Sequence, residues 1–355
     1  MASKIRVIVI DDSAFMRKSI SIMLESDEDI QVIATARDGL EGYEIVKKLQ
    51  PDLVTMDIEM PKMDGLTSLQ KIMKDCPTSV IMVSSLTTEG ADSTIKALEY
   101  GAVDFIPKEL SYINVNIIKI KDELIKKVKE IVKQKALKER LRRLRKLNNA
   151  PARDIIAESS KFLPKIEYKA IALGISTGGP LSLQKLIPHI SLKTNCPIFI
   201  VQHMPPKFTK SLADRLNSLS ELEVKEAENG EVIRKGVVYI APGGFHMTIG
   251  KNNVGTLFVS ISKEPSTTLH RPSVDVMINS VIEGFGKNTL GVIMTGMGKD
   301  GLEGIRNLKQ LGGYCLTQDE ESSVVFGMPK AVIEAGFADV IAPLDKISEI
   351  INQAF

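Results

Sequence analysis

Five short runs rich in β-branched residues, IRVIVI, QVIATA, DLVTM, SVIMVS and VDFI, recur through the first 110 residues, each but the last followed by apolar positions spaced three or four apart. Continuous apolar runs read as strands buried on both faces, and the spaced stretches read as helices covering them. The pattern predicts a (βα)5 α/β unit built on a parallel five-stranded sheet. From Ile113 a longer helical stripe of Ile117, Ile120, Leu124, Val128 and Ile131 can pack on that sheet, and Leu137, Leu141 and Leu144 extend a weaker face until Asn and Pro interrupt it. A second alternation opens at KAIALGIS and continues through CPIFIVQH, NTLGVIMTG, GGYCLTQ and ADVIAP, which predicts a doubly wound α/β domain. Within it, GEVIRKGVVYIAPGGFHMTIGKNNVGTLFVSI shows period-two runs with Gly and Asn turns, so antiparallel hairpins added to the sheet are expected. The expected division is residues 1–133, a linker over 134–168, and 169–355.

A length of 355 residues agrees with two hydrophobic cores. No apolar run reaches the roughly 18 residues that span a bilayer, and MASKIRVIVI enters a strand directly without a leader pattern. No membrane insertion and a cytoplasmic location are expected. Cys76, Cys196 and Cys315 are odd in number and lack CxxC spacing, which fits small core residues better than disulfides or a zinc site. The net charge of +2 conceals a basic segment: residues 119–147 hold 13 Lys or Arg against 4 Asp or Glu. No helix-turn-helix pattern follows it, so the run reads as a solvated helix face and nucleic acid is not an expected partner.

Charge changes the picture most where it follows a buried strand. Asp11 and Asp12 end the first strand and Asp57 ends the third, positions that meet at the carboxyl edge of an open parallel sheet. A lone Asp at such a turn often just caps the next helix. Three together repel unless a cation joins them, and an oxygen-only set suits Mg²⁺, with the main-chain carbonyl of Glu59 in reach. A carboxylate beside Mg²⁺ can attack a phosphoryl group, and Ser84 and Lys108, at the ends of the next two strands, can meet the charge that develops.

In the second domain GISTGGP fits a sharp strand-to-helix turn that exposes the Ser176 hydroxyl. It could instead cradle an anion on main-chain N–H groups, in a non-catalytic anion- or nucleotide-binding module. However, Pro180 stands where a P-loop needs Lys, and Ser176 stands where a dinucleotide loop needs Gly. A serine nucleophile needs an imidazole base and a carboxylate to orient it. Of the four histidines, His203 ends the next strand on the same edge; His189 reads as surface, and His246 and His270 read as loop residues. Asp300, in the glycine-rich TGMGKDG, can supply the carboxylate.

Residues 4 to about 133 resemble the receiver domains of two-component response regulators, in the Asp-Asp pair, MDIEMPKMDG, the hydroxyl and the Lys. The resemblance implies phosphorylation of Asp57 by a histidine kinase with Mg²⁺, and a switch role for Phe105 beside Ser84 and Lys108. Glu109 stands where receivers commonly have Pro, so no cis-proline turn is expected there. The whole chain, through GISTGGP, QHMPPKFT, YIAPGGFHM, HRPSVDVM, TGMGKDG and QDEESSVVFGMP, resembles the chemotaxis protein-glutamate methylesterases, CheB. That resemblance implies a receiver joined to a catalytic domain that removes methyl groups from glutamate esters on chemoreceptors, releasing methanol, and deamidates receptor glutamines without a cofactor. It implies Ser176 as nucleophile, His203 as acid and base, Asp300 as its orienter, and main-chain donors at Thr177 and Met297. His270, Arg271 and Asp275 fall in a shared block without an assigned role.

Overall fold

The computed structural model describes residues 4–108, 115–148 and 162–355. Two compact units divide near residue 147. The segment after Lys108, where Glu109 replaces the proline, and residues 149–161 of the expected linker lie outside the described residues.

The first unit runs β1 (Ile5–Ile10), α1 (Ala14–Glu25), β2 (Ile30–Ala36), α2 (Gly39–Leu49), β3 (Leu53–Asp57), α3 (Gly65–Asp75), β4 (Ser79–Ser84), α4 (Thr88–Glu99), β5 (Asp104–Pro107) and α5 (Val115–Asn148). Its strands form one parallel sheet in the order β2-β1-β3-β4-β5. Val7, Ile8, Leu53, Val54, Val80 and Ile81 are fully buried, as runs covered on both faces must be. Ser13, Asp38, Asp64 and Thr87 each accept a hydrogen bond from a backbone N–H three residues on, fixing where α1 to α4 begin. Leu124, Val128 and Ile131 of the predicted stripe are buried, and α5 continues without a break through residue 148.

The second unit runs β6 (Ala170–Ile175), α6 (Gly179–Leu186), β7 (Ile198–Gln202), α7 (Phe208–Leu219), β8 (Glu223–Glu226), β9 (Val237–Ile240), β10 (His246–Lys251), β11 (Leu257–Ser262), α8 (Val274–Phe285), β12 (Thr289–Ile293), α9 (Leu302–Gln310), β13 (Tyr314–Gln318), α10 (Met328–Glu334), β14 (Val340–Ala342) and α11 (Leu344–Ala354). Seven strands pair in the order β14-β13-β12-β6-β7-β9-β8, all parallel. Ahead of β6, Leu163 and Tyr168 are already buried, with the Tyr168 ring against Tyr314 and Phe355.

The antiparallel hairpin expected in the middle region is present, but as one pair beside the sheet rather than several added to it. VVYI, which is β9, pairs parallel between β7 and β8, and among the described strands only β10 and β11 form an antiparallel pair, as a separate two-stranded sheet. Period-two runs do not distinguish the two outcomes. All four β9 residues are buried, which suits a sheet interior, whereas the hairpin is buried only in part, with Met247 and Val259 in the core that α8 completes. His246 is correspondingly the first residue of a strand and fully buried, not a loop residue.

Candidate functional site

The second sheet turns back on itself at β6: the chain proceeds to β7 on one side and returns to β12 on the other. The crevice beyond the carboxyl ends of β6 and β12 is therefore its switch point, where open α/β sheets bind ligands. Ser176 is the first residue past β6, half-buried, and its N–H donates to the Thr295 carbonyl just past β12 at 2.9 Å. Gly178 follows with φ of 75°, a left-handed turn that a side chain would strain, and α6 starts at Gly179 with Pro180 in its first turn.

Gln202 pairs with Ile175 across β6 and β7, which sets His203 at the level of Ser176. His203 Nε2 lies 2.8 Å from Asp300 Oδ2. Asp300 also accepts from the Ser273 hydroxyl at 3.0 Å and from the N–H groups of Val274 and Asp275 at 2.8 and 3.0 Å, the first turn of α8. Burial works against its charge, but the hydrogen bond and charge of His203 and these amides outweigh it and hold the carboxyl well below the usual range. An ionised carboxylate only accepts, so in the neutral ring Nε2 carries the proton and Nδ1 the lone pair. Nδ1 is buried and has no hydrogen-bond partner among the described residues. The His270 ring stacks on that of His203, with centroids 4.2 Å apart and planes within 17°.

Several residues that sequence reading passed over hold these pieces. One Gln202 Nε2 donates to the carbonyls of both Ser176 and His203, at 3.0 and 3.2 Å. The Thr295 hydroxyl donates to the Thr177 carbonyl and accepts from the N–H groups of Val324 and Val325. A Cβ on Gly296 would come within 2.8 Å of the Ser176 Cβ, so glycine there permits the two loops to touch. Ser273 was legible as a cap before the apolar run VDVMINSVIEGF. Gln202 and Thr295 carried no signal, because a polar residue at a strand end has many uses. Thr177 and Met297 flank the Ser176 turn on the β6 and β12 loops, and neither N–H is taken up by a turn hydrogen bond among the described residues.

In the first sheet β1 and β3 are the switch point, and Ile10 pairs with Met56, so Asp11 and Asp57 emerge side by side. Ligand atoms of Asp11, Asp12 and Asp57 lie within 4.8 Å of one another, with Asp12 exposed and the other two buried. Lys108 Nζ is 2.6 Å from Asp57 and 3.3 Å from Asp11. Burial pushes the Asp57 carboxyl up to about 6, opposed by Lys108 and reinforced by the negative charge of Asp11. Burial likewise raises Asp11. Glu59 is exposed on the bend after β3. Ser84 is not directed into the cluster: its hydroxyl donates to the Gly90 carbonyl of α4 at 3.1 Å. Phe105 is buried, with Lys127 Nζ over its ring at 5.9 Å.

Comparisons with known proteins cover both units. The CheB methylesterase family model matches residues 171–351, and the response regulator receiver domain model matches residues 7–116. A Pyrococcus horikoshii protein named protein-glutamate methylesterase/protein-glutamine glutaminase is 47% identical over 355 residues, covering 100% of this chain and 94% of its own. One of the same name from Thermotoga maritima is 45% identical over 345 residues, covering 97% of each chain. The crystal structure of the Thermotoga maritima CheB methylesterase catalytic domain superposes with a TM-score of 0.51 at 47% identity, covering 54% of this chain and 100% of that one. With a receiver and a methylesterase domain in one chain and relatives that match it end to end, the protein belongs to the CheB family of protein-glutamate methylesterase/protein-glutamine glutaminases.

Proposed function

We propose the following chemistry for this phosphorylation-regulated chemotaxis methylesterase. Ser176 Oγ attacks the γ-carbonyl of a methylated glutamyl residue while His203 Nδ1 takes the hydroxyl proton, and Asp300 stabilises the resulting imidazolium through Nε2–H. The N–H groups of Thr177 and Met297 receive the oxyanion. His203 returns the proton to the departing methoxide, methanol leaves, and water attacks the acyl-serine by the same route to give the free carboxylate. A glutamine amide follows the same steps with ammonia as leaving group, and neither reaction needs a cofactor. The observation that carries this reading is the buried, unpartnered Nδ1 of a histidine whose other nitrogen is held by an ionised aspartate. The substrates are methylated glutamyl side chains of chemoreceptors, reached in the cytoplasm.

In the receiver, Asp57 accepts a phosphoryl group from a histidine kinase. Asp11, Asp12, Asp57 and the Glu59 carbonyl would hold Mg²⁺, whose charge relieves the crowding of three carboxylates, and the hard oxygen set fits that ion. Lys108 is poised to pair with a phosphoryl oxygen, Ser84 reaches the phosphate once its hydroxyl leaves Gly90, and Phe105 reports that change. The working division is a receiver over 1–133, a basic linker over 134–168 and a catalytic domain over 169–355.

The test is methanol release from methylated receptor membranes. Ser176→Ala should reduce it by a factor of about 10³ or more. Equal release by the two proteins would return the Ser176 turn to an anion-binding role.

A further inference from the structure

A general base must present its lone pair along one line, and a single hydrogen bond at Nε2 leaves the His203 ring free to swing about that bond. Asp300 fixes a point of the ring, not its plane. The plane is met by His270, whose ring lies almost parallel to it at a centroid distance of 4.2 Å. Offset, near-parallel rings attract by dispersion and quadrupole terms and resist tilting of either partner.

The segment that carries His270 is itself held from two sides. His246, fully buried at the start of β10, accepts the Ser273 N–H on Nδ1 at 3.2 Å, and its Nε2 lies 3.1 Å from the Thr268 hydroxyl. Accepting at Nδ1 leaves the proton on Nε2, and burial lowers the pKa and favours this neutral form. Across the same segment the Gly244 N–H donates to the Arg271 carbonyl at 3.1 Å. The chain is thus anchored at Thr268, Arg271 and Ser273, with His270 between the anchors. Ser273, the last anchor, also donates to Asp300.

Resting on the reading of His203 as the base, we propose that His270 is a positioning residue that fixes the imidazole plane of His203 by stacking. The β10–β11 hairpin, through His246, holds His270 in place. The separate two-stranded sheet then has a use: it anchors the platform under the base. His270 acts through its flat face, so an aromatic ring without nitrogens should replace it.

The experiment compares full-length wild type, His270→Ala, His270→Phe and Ser176→Ala on methylated receptor membranes, measuring kcat and KM for methanol release. His270→Ala should lower kcat by about tenfold to a hundredfold, the scale of a misaligned reacting group, with KM within about twofold. His270→Phe should recover kcat to within about threefold of wild type. Circular dichroism and thermal melts identify any variant that fails to fold, and His270→Leu, similar in bulk but without a flat face, should behave as Ala. Unchanged kcat in His270→Ala overturns the proposal alone when Ser176→Ala is inactive. So does a folded His270→Phe as slow as Ala, which would assign the role to the ring nitrogens. Full activity of Ser176→Ala would overturn both this proposal and the catalytic reading beneath it.

Discussion

At the residue scale, the same group is pushed in opposite directions by its neighbours in the two sites. Asp300 meets amides, a hydroxyl and an imidazole, and stays ionised despite burial. Asp57 meets Asp11 as well as Lys108, and burial prevails. A folded-state pKa of about 6 against an ordinary 3.8 means that the folded receiver holds its proton after the unfolded chain has lost it. The contribution of this group to stability is therefore greatest below about 4 and declines as pH rises from there to about 6. Asp57→Asn should stabilise the metal-free receiver by about 2 kcal/mol at pH 7.5 and by little at pH 4, which thermal melts in chelator at the two pH values will show. A variant less stable than wild type at pH 7.5 would mean that the charge is not strained. In the other domain, Thr295→Val removes the acceptor of two N–H groups, that of Val325 buried and that of Val324 partly so, and should cost about 1–3 kcal/mol by denaturant titration. Candidate residues were legible because groups of compatible chemistry recur at several strand ends along one edge. Their supports were not, since Gln202 and Thr295 act through main-chain groups that no side-chain pattern reveals.

At the element scale, helix starts carry the sites. Ser273 does two things at once: as the cap it opens α8, and its hydroxyl donates to Asp300. Ser273→Ala should cost about 1 kcal/mol as a lost cap and also slow the esterase, whereas Ser273→Thr should retain both, compared by melts and methanol release. In the receiver, Lys127 of α5 pairs with Asp104 at 3.0 Å and donates to the Phe105 carbonyl, tying the long helix to β5. Asp104 is buried, so the ammonium that reaches it from α5 is what keeps its charge from being stranded. The strand-and-helix alternation was legible because buried parallel strands are written as continuous apolar runs. The pairing of VVYI was not, because alternation within a strand is silent about which neighbour it joins and in which direction.

At the scale of the whole molecule, two sheets of different strand number each present chemistry at the place where their order reverses, between β1 and β3 and between β6 and β12. On the proposed reading one accepts a phosphoryl group and the other hydrolyses an ester, so one chain both receives a signal and acts on it. Acetyl phosphate with Mg²⁺ should raise methanol release by the wild type several-fold, and Asp57→Asn should show no rise; an equal rise in the variant would remove Asp57 as the acceptor. Among the described residues no helix is long and apolar enough to cross a membrane, and the basic run of residues 119–147 falls on α5.

The partnership of β6 with β12 has a further consequence, for the order of events during synthesis. Ala170 pairs with Thr289, so the strand that leads into Ser176 meets its second neighbour only after more than a hundred further residues have been made. Contacts so distant in sequence form late. Until then the serine lacks the Thr295 carbonyl that steadies its turn and, on the proposed reading, Asp300 to orient its base. A nascent or broken chain therefore carries a silent serine, and esterase activity is itself a certificate that the sheet has closed.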